Sequence, residues 1–214
     1  MPGWVSALAA GLGALAISAS AAAAHPHVWV TSKSQLIFEK GVATAIRHAW
    51  TFDDMFSAQA VQGLDVNGDG TYTREELAPL AEINVTSMAD FDFFTFAESD
   101  SGAIAFGKPV DYFLDMKDGL LTLHFTLPFA SGSAAGKPLK VEIYDPSFFV
   151  DFGLAETEAA ALVGAPASCK ADVFRPGDKP GKSMQLTESF FSNLASAADY
   201  AAKLAPRIEV NCKS

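Results

Sequence analysis

The sequence predicts an α+β fold in which antiparallel β-hairpins surround an inserted helix-loop-helix. Three observations lead to this prediction. Two pairs of alternating segments are joined by short turns, a calcium-loop pattern has helical spacing on both sides, and an apolar stripe of helical period lies near the carboxyl end. One disulfide is expected to complete the fold.

The first hairpin is predicted near the start of the chain. Residues Val28 to Phe38 and Val42 to Phe52 alternate between apolar and polar side chains, and Glu39-Lys40-Gly41 lies between them. Alternation with a period of two is typical of half-buried strands, and a short connection with glycine allows the chain to reverse.

An EF-hand calcium loop is predicted next, over residues 65–76. Calcium binds several oxygen ligands, and this motif places them at a fixed spacing. The predicted ligands are the side chains of Asp65, Asn67 and Asp69, the carbonyl of Thr71 and the bidentate carboxylate of Glu76.

The flanks of the loop favour a helix on each side. Apolar residues recur there at helical spacing: Phe56, Ala60, Val61, Leu64, Leu77, Leu80 and Ala81. One alternative is a polar surface turn that binds nothing. A structural calcium is favoured over a sensor, because sensing usually needs a paired loop and the sequence has no second match. Tyr72 also replaces the small aliphatic residue that would contact such a partner loop.

The second half of the chain is predicted to consist mainly of strands. A second hairpin spans Val110 to Met116 and Leu120 to Leu127, with its turn at Lys117-Asp118-Gly119. The Gly/Ser/Ala-rich residues Ala130 to Lys137 are expected to form a flexible loop and are the candidate for an internal boundary. The remaining predicted elements are strands at Phe91–Phe96, Leu139–Tyr144, Ser168–Phe174 and Ile208–Val210, and a helix from Leu186 to Pro206.

Residues 1–24 have the pattern of a secretory signal peptide. They contain no charged side chain, are apolar from Trp4 to Ile17 and end in small residues that suit signal peptidase. The alternative is a retained membrane anchor, for which the apolar stretch is short. Cleavage would leave a periplasmic protein without direct membrane insertion, in which residues 25–214 form a single domain and the EF-hand segment 53–90 is inserted.

Composition limits the classes of partner. The chain has 15 Lys and Arg against 25 Asp and Glu, a formal net charge of −10. This balance argues against nucleic acid and anionic membranes as partners and suits metal cations. Cys169 and Cys212 are the two cysteines, and an even pair in an exported chain predicts one disulfide. A metal site or a catalytic thiol is the alternative.

Four histidines are candidate transition-metal ligands. His25 and His27 share one face of an extended segment, and imidazole binds zinc, copper and nickel. Pro26 has no amide hydrogen, which excludes the square-planar chelate that uses deprotonated amides. His48 and His124 lie on predicted strands and could complete a site through the fold. The alternatives are a polar N-terminus for the first pair, a core residue for His48 and a solvated sheet face for His124.

Several short motifs carry a family resemblance. They are His25-Pro26-His27, then Trp50-Thr-Phe-Asp53 followed by Phe56-Ser57, and later Tyr144-Asp145-Pro146. Together they resemble an uncharacterised family of exported bacterial proteins described as periplasmic components of ABC-type transport systems. The resemblance implies an association with zinc, nickel or cobalt transport and a membrane metal permease as partner. Its hairpins do not match a two-lobed solute receptor, so an accessory protein is expected.

Three classes of function remain open. The leading interpretation is a periplasmic metal-handling accessory protein of a divalent transition-metal transport system, with calcium in its EF-hand loop. The second is a calcium-stabilised exported interaction module with no transition-metal role, in which the Phe148-Phe149 region is the docking surface. The third, an enzyme, is not favoured, because the sequence has no nucleophile elbow, no HExxH and no recognisable Ser/His/Asp or Cys/His arrangement.

Overall fold

The computed structural model describes residues 27–134, 138–175, 202–203 and 205–212. The strands are β1 (Val28–Glu39), β2 (Val42–Phe52), β3 (Thr95–Ser99), β4 (Gly102–Ile104), β5 (Val110–Lys117), β6 (Leu120–Ala134), β7 (Leu139–Ile143), β8 (Val150–Leu154), β9 (Ala160–Val163), β10 (Cys169–Phe174) and β11 (Arg207–Cys212), and the helices are α1 (Asp54–Ala60) and α2 (Arg74–Ser87).

These strands form two sheets. In the first sheet the order is β5-β6-β2-β1-β8, and β9 also pairs with β1, further along the same strand. In the second sheet the order is β10-β11-β7-β3-β4. The pairs of β1 with β8 and β9 are parallel, whereas the other strand pairs are antiparallel.

The two sheets share one hydrophobic core. Along β1, every second side chain from Val28 to Phe38 is buried, as its period-two pattern predicts. The core combines inward-facing side chains of both sheets, including Leu36, Ile46, Trp50, Val141, Ile143 and Ile208. Full burial of an aliphatic or aromatic side chain stabilises the fold by about 1.5–3 kcal/mol, so the shared core holds the sheets together.

The predicted α+β class is wrong, because the described chain is mostly β. Its two complete helices and a 3₁₀ segment (Met88–Phe94) all lie in one insertion between β2 and β3, while the other elements are strands. Period-two patterning therefore dominates the chain. The predicted C-terminal helix, Leu186 to Pro206, lies almost entirely outside the described residues. Within that range, the described residues 202 and 203 are helical.

Both helices begin at side-chain caps. Asp53 caps α1, and its Oδ1 accepts the Phe56 amide at 2.8 Å. Thr73 and Glu76 form a reciprocal capping box at the start of α2, the pattern that the sequence Thr-x-x-Glu favours. This box lies inside the candidate calcium loop, so the loop leads directly into α2.

Several predicted strands are confirmed, and two boundaries differ. Both predicted hairpins are present, as β1-β2 and β5-β6. The strand predicted from Phe91 begins only at Thr95, because Asp92, Phe93 and Phe94 take left-handed conformations. The predicted loop from Ala130 is also wrong over its first five residues, since β6 continues to Ala134, which pairs with Val42.

The predicted disulfide between Cys169 and Cys212 is present. It joins directly paired residues of β10 and β11 in the second sheet. It therefore cross-links the edge strand β10 to β11, which also pairs with β7. Among the described residues, no helix is both long and apolar enough to cross a membrane.

Candidate metal sites

The backbone of loop 65–76 turns sharply around the side chain of Asp65. Gly68 and Gly70 have φ angles of 72° and 78°, a left-handed conformation that glycine adopts without steric cost. The Asp65 carboxylate accepts the amides of Gly68 at 2.8 Å, Asp69 at 3.1 Å and Gly70 at 2.9 Å. The loop is therefore wrapped around the first predicted ligand.

The carboxylates of Asp69 and Glu76 are held in the same way. Asp69 Oδ1 accepts the Thr71 hydroxyl at 2.6 Å and the Thr71 amide at 2.8 Å, and these bonds, led by that of the hydroxyl, lower the pKa of Asp69. Glu76 Oε2 accepts the Thr73 amide and hydroxyl, both at 2.9 Å, and the amide bond is the main cause of its lowered pKa. Both side chains are thus ionised at neutral pH.

The two ends of the loop meet at Glu76. Its Oε1 accepts the Val66 amide at 3.0 Å, although ten residues separate the two in sequence. Between them, Asn67 Oδ1 accepts the Asp69 amide at 2.9 Å. The five predicted calcium ligands therefore lie in one closed loop, with the last carboxylate folded back toward the first residues.

The donor set of the loop fits calcium. Three carboxylates, an amide oxygen and a main-chain carbonyl are the hard oxygen ligands that calcium prefers. Across the described residues, however, no three His, Cys, Asp or Glu side chains converge as a ready-made metal cluster. In the loop the carboxylates accept backbone amides instead. A carboxylate has about four lone-pair sites, so these bonds leave capacity for an ion.

Two neighbours attach the loop to the first sheet. Tyr72 is half-buried against the hydrophobic core, so the residue that would face a partner loop packs on this chain itself. The Arg74 guanidinium lies 3.7 Å from the centre of the Phe113 ring on β5. Loop and sheet are therefore in contact through the first residue of α2.

His124 also packs on Phe113, on the outer face of the first sheet. Its ring is stacked at 4.4 Å, and its Nε2 lies 3.2 Å from Asp115 Oδ2. Partial burial lowers the pKa of His124, against the opposing effect of Asp115. Sequence reasoning missed this cluster. The predicted turn at Asp118-Gly119 would have placed Phe113 opposite His124 by counting back along the hairpin.

His48 is a buried core residue. Its Nδ1 lies 2.9 Å from the Ser34 hydroxyl, its Nε2 lies 3.4 Å from the Thr95 hydroxyl, and burial lowers its pKa to about 3. In the sheet, His48 pairs with Phe125 and its neighbour Ala49 pairs with His124. His48 and His124 consequently point to opposite faces and cannot share an ion.

His27 is exposed at the start of β1. Its amide donates to the Phe149 carbonyl at 2.9 Å, and the two rings lie 5.1 Å apart. His25 lies outside the described residues. The structure therefore does not bring His27, His48 and His124 together, and each has a different environment.

Residues of the resemblance motifs hold local structure. Besides capping α1, Asp53 accepts the Trp29 amide through Oδ2 at 2.9 Å. Ser57 is buried, and its hydroxyl accepts the Leu121 amide at 2.9 Å. These two side chains fasten α1 to β1 and β6.

Asp145 is buried and organises the turn before β8. Its carboxylate accepts the Ser147 amide at 2.8 Å and the Phe149 and Val150 amides, both at 3.0 Å. These bonds account for Asp145 as a structural residue. They also fix the backbone on which the exposed Phe149 ring stands.

Comparison with known proteins gives two findings. The model of the family DUF1007, described as a protein of unknown function, matches residues 10–212. An uncharacterized 15.5 kDa protein in the trpE 3' region of Spirochaeta aurantia is 26% identical over 98 residues, which are 46% of this chain and 70% of the relative. Neither description names a ligand or a reaction.

Proposed function

Because this chain belongs to the DUF1007 family, whose function is unknown, we propose a function from its own residues. It is an exported interaction module that binds one calcium ion in loop 65–76. The ion would be coordinated by Asp65, Asn67, Asp69, Thr71 and Glu76 and would neutralise the three carboxylates of this loop. Export to the periplasm is part of the proposal and rests on residues 1–24, outside the described residues.

The observation that carries the proposal is the position of Glu76. Its carboxylate bonds the amide of Val66 at 3.0 Å, so it closes the loop across its two ends. A bidentate ligand at the twelfth position has to reach back over the loop in this way. The capping box accounts for the bonds of Glu76 Oε2 to Thr73, whereas the bond of Oε1 to Val66 is not part of that box.

Calcium in this loop is expected to have a structural effect. The loop connects α1 to α2, and Tyr72 packs against the core. Binding would therefore hold the helical insertion against the first sheet. Exposed aromatic side chains, Trp29 at 45% and Phe149 at 54% of full exposure, are available for a partner at the end of that sheet.

Isothermal titration calorimetry, in which calcium is added to the chelator-treated protein, tests the proposal. We expect one ion per chain. The Glu76→Gln variant should bind calcium at least about 100-fold more weakly, because changing even a hydrogen-bond partner of a metal ligand lowers metal affinity 10–100-fold, and Glu76 would be a ligand itself. Glutamine suits the same capping position, so the helix start should survive. Glu75→Gln is the matched control, because it removes the same charge from the neighbouring exposed residue and should leave calcium affinity unchanged.

Equal calcium affinity in the Glu76→Gln and Glu75→Gln variants would show that loop 65–76 is not the site. Absence of any saturable binding to the unaltered protein would refute the proposal as a whole. Circular dichroism of both variants without calcium checks that each retains the fold.

A second function, metal handling for a transport system, is favoured by the exposure of His27. Its ring is accessible at the start of β1, on the same face as Trp29, whereas His48 is enclosed in the core. Together with His25 it would capture zinc, or nickel or copper, and pass it to a membrane permease. The family resemblance of the sequence motifs supports this transport association.

Zinc titration distinguishes the second function from the first. Binding is expected to disappear in His25→Ala/His27→Ala and to remain in His124→Ala, which removes the other partly accessible imidazole. If all three proteins bind zinc equally, the second function is excluded. The calcium proposal does not depend on that result.

A further inference from the structure

The outer face of the first sheet carries a trough of about 390 Å³. Strands β1, β2 and β6 form its floor, and the segment leading into β9 forms one side. Its lining includes the charged and polar residues Lys33, Gln35, Arg47, His124 and Glu158.

The strand register explains why a depression forms at this point. Ala49 pairs with Lys33 on one side and with His124 on the other. Directly paired residues in a sheet project from the same face. Since Ala49 has only a methyl group, the two longer side chains stand on either side of an empty position.

Arg47 projects beside this position, and no acidic residue in the described part of the chain pairs with its charge. Its Nη1 donates to Gln35 Oε1 at 3.3 Å and its Nε to Thr126 Oγ1 at 3.4 Å, both neutral groups. Among the ion pairs of the described residues, none involves Arg47. By contrast, Arg207 lies 2.8 Å from Glu209. The Arg47 guanidinium is thus oriented but not neutralised, in a chain of net charge −10.

Lys33 supplies a second positive charge that a ligand can recruit. Its Nζ lies 3.2 Å from Glu158 Oε2, and the two side chains are 47% and 82% exposed. Exposed pairs of this kind contribute little, because water and salt screen them. A competing anion can therefore replace Glu158 at Lys33.

We propose that this trough binds a small oxyanion, the carboxylate or phosphate group of a small molecule. Arg47 would present its planar guanidinium, which suits two-point recognition of such groups, and Lys33 would add a point charge. The volume is that of a small-molecule pocket. The site shares no residue with the calcium loop, and its test does not involve calcium.

Nuclear magnetic resonance titration at constant ionic strength tests the site. Succinate and inorganic phosphate are the two probes, and neutral succinamide is the control. We expect saturable shifts of the Arg47 Nε–H and of the Ala49 and Ala160 amides, while the Arg207 Nε–H stays unchanged. Whichever anion saturates at lower concentration identifies the ligand group as carboxylate or phosphate.

Variants test the roles of the individual charges. Arg47→Gln is expected to weaken binding at least about tenfold, since it removes hydrogen bonds from a charged donor. Arg207→Gln removes one positive charge from the second sheet and should leave binding unchanged. Lys33→Gln should also weaken binding, and it is the substitute test if the Arg47→Gln variant does not fold. Glu158→Gln should strengthen binding, because it frees Lys33.

The inference would be overturned by shifts that do not saturate with either anion. It would also be overturned if Arg47→Gln and Arg207→Gln reduced affinity equally, since net charge alone would then explain binding. Weaker binding in Glu158→Gln would contradict the competition between Glu158 and the ligand.

Discussion

His48 illustrates at the scale of one residue how burial decides between a metal ligand and a core side chain. It is fully buried, both ring nitrogens face hydroxyl groups, and its ring packs against the rings of Trp50 and Phe125. Charging the ring there is unfavourable because no carboxylate compensates it. The neutral form is therefore part of the folded state.

This burial predicts a loss of stability on acidification. The pKa of His48 is about 3 in the folded protein, below the 6.5 of the free side chain, so between these values the unfolded chain binds the additional proton. The stabilising contribution is complete above pH 6.5 and declines as the pH falls toward 3. The slope is about 1.4 kcal/mol per pH unit, or roughly 2 kcal/mol between pH 6.5 and 5.

Urea unfolding at several values between pH 5 and 7 measures this slope. The matched variant is Ser34→Ala/His48→Leu, which removes the imidazole together with its hydroxyl partner. Thr95 keeps its hydrogen bond to the Phe93 carbonyl at 2.9 Å. An unchanged pH slope in the variant would mean that other groups cause the dependence.

Spacing within the sequence was sufficient to predict the conformation of loop 65–76, and calcium binding there stays a prediction. Loop 65–76 has its Gly68 and Gly70 in the left-handed conformation that the motif requires, and Glu76 folds back over it. Alternation along each strand likewise gave the alternatives of a core residue for His48 and a sheet face for His124, and both are confirmed. That β2 pairs with β6 could not be predicted in this way. His48 and His124 lie on neighbouring strands that are distant in sequence, and a register shift of one residue exchanges the faces of a sheet.

At the scale of elements, α2 and β5 are the link between the calcium loop and the first sheet. Arg74, the first residue of α2, packs on Phe113, which in turn stacks with His124. A cation over an aromatic ring contributes about 0.5–1 kcal/mol at an exposed site. If calcium restricts the motion of the loop, α2 and β5 should therefore be the first elements to lose mobility.

Hydrogen exchange is predicted to slow in α2 and β5 when calcium is added. Residues Arg74–Ser87 and Val110–Lys117 should gain protection, whereas β10 and β11 in the second sheet should change little. Exchange mass spectrometry with and without calcium measures the difference. Glu76→Gln is the control, and an effect spread evenly over both sheets would contradict this coupling.

Gly164, at the end of β9, is predicted to be intolerant of a side chain. Its φ is 72°, and an added Cβ would lie 2.5 Å from the Phe38 carbonyl oxygen. Gly164→Ala should therefore lower the free energy of unfolding by more than about 1 kcal/mol. Gly119→Ala is the matched control, since Gly119 has a φ of 79° but nothing within 4 Å.

Chemical denaturation of the two glycine variants separates the clash from the backbone strain. Both should be destabilised by the left-handed conformation, and Gly164→Ala should lose more because of the carbonyl contact. Equal losses would show that β9 can move away from Phe38 without cost.

Elements were predictable where the chain pairs with itself locally. Both hairpins follow from alternation around a short turn, as in Lys117-Asp118-Gly119. The parallel pairing of β1 with β8 and β9 joins segments more than 100 residues apart, and short-range pattern contains no information about it. Strand β3 was similarly predicted to begin too early, because apolar residues alone do not reveal the left-handed conformations of Asp92, Phe93 and Phe94.

At the scale of the whole molecule, two sheets of the described chain enclose one core, and the helical insertion between β2 and β3 lies beside it. The sequence prediction gave the helices too much weight, since α1 has 7 residues and α2 has 14. Strands supply most of the buried side chains. The protein is therefore a mostly β scaffold, and calcium is proposed to act on its insertion, outside the strand-built part of the core.

Calcium should stabilise the whole molecule by mass action if it binds only the folded chain. At a free concentration 100 times the dissociation constant, the gain is about 2.7 kcal/mol. This is a substantial part of the 5–15 kcal/mol typical of natural domains. The ion would thus matter for the stability of the complete fold as well as for the loop.

Native mass spectrometry of the chelator-treated protein, reloaded with a mixture of calcium, zinc, copper and nickel, determines whether loop 65–76 holds calcium. We expect one calcium ion per chain, retained in Glu75→Gln and lost in Glu76→Gln. Calcium binding by this loop is refuted if the protein takes up no calcium, or if it holds calcium equally in both variants.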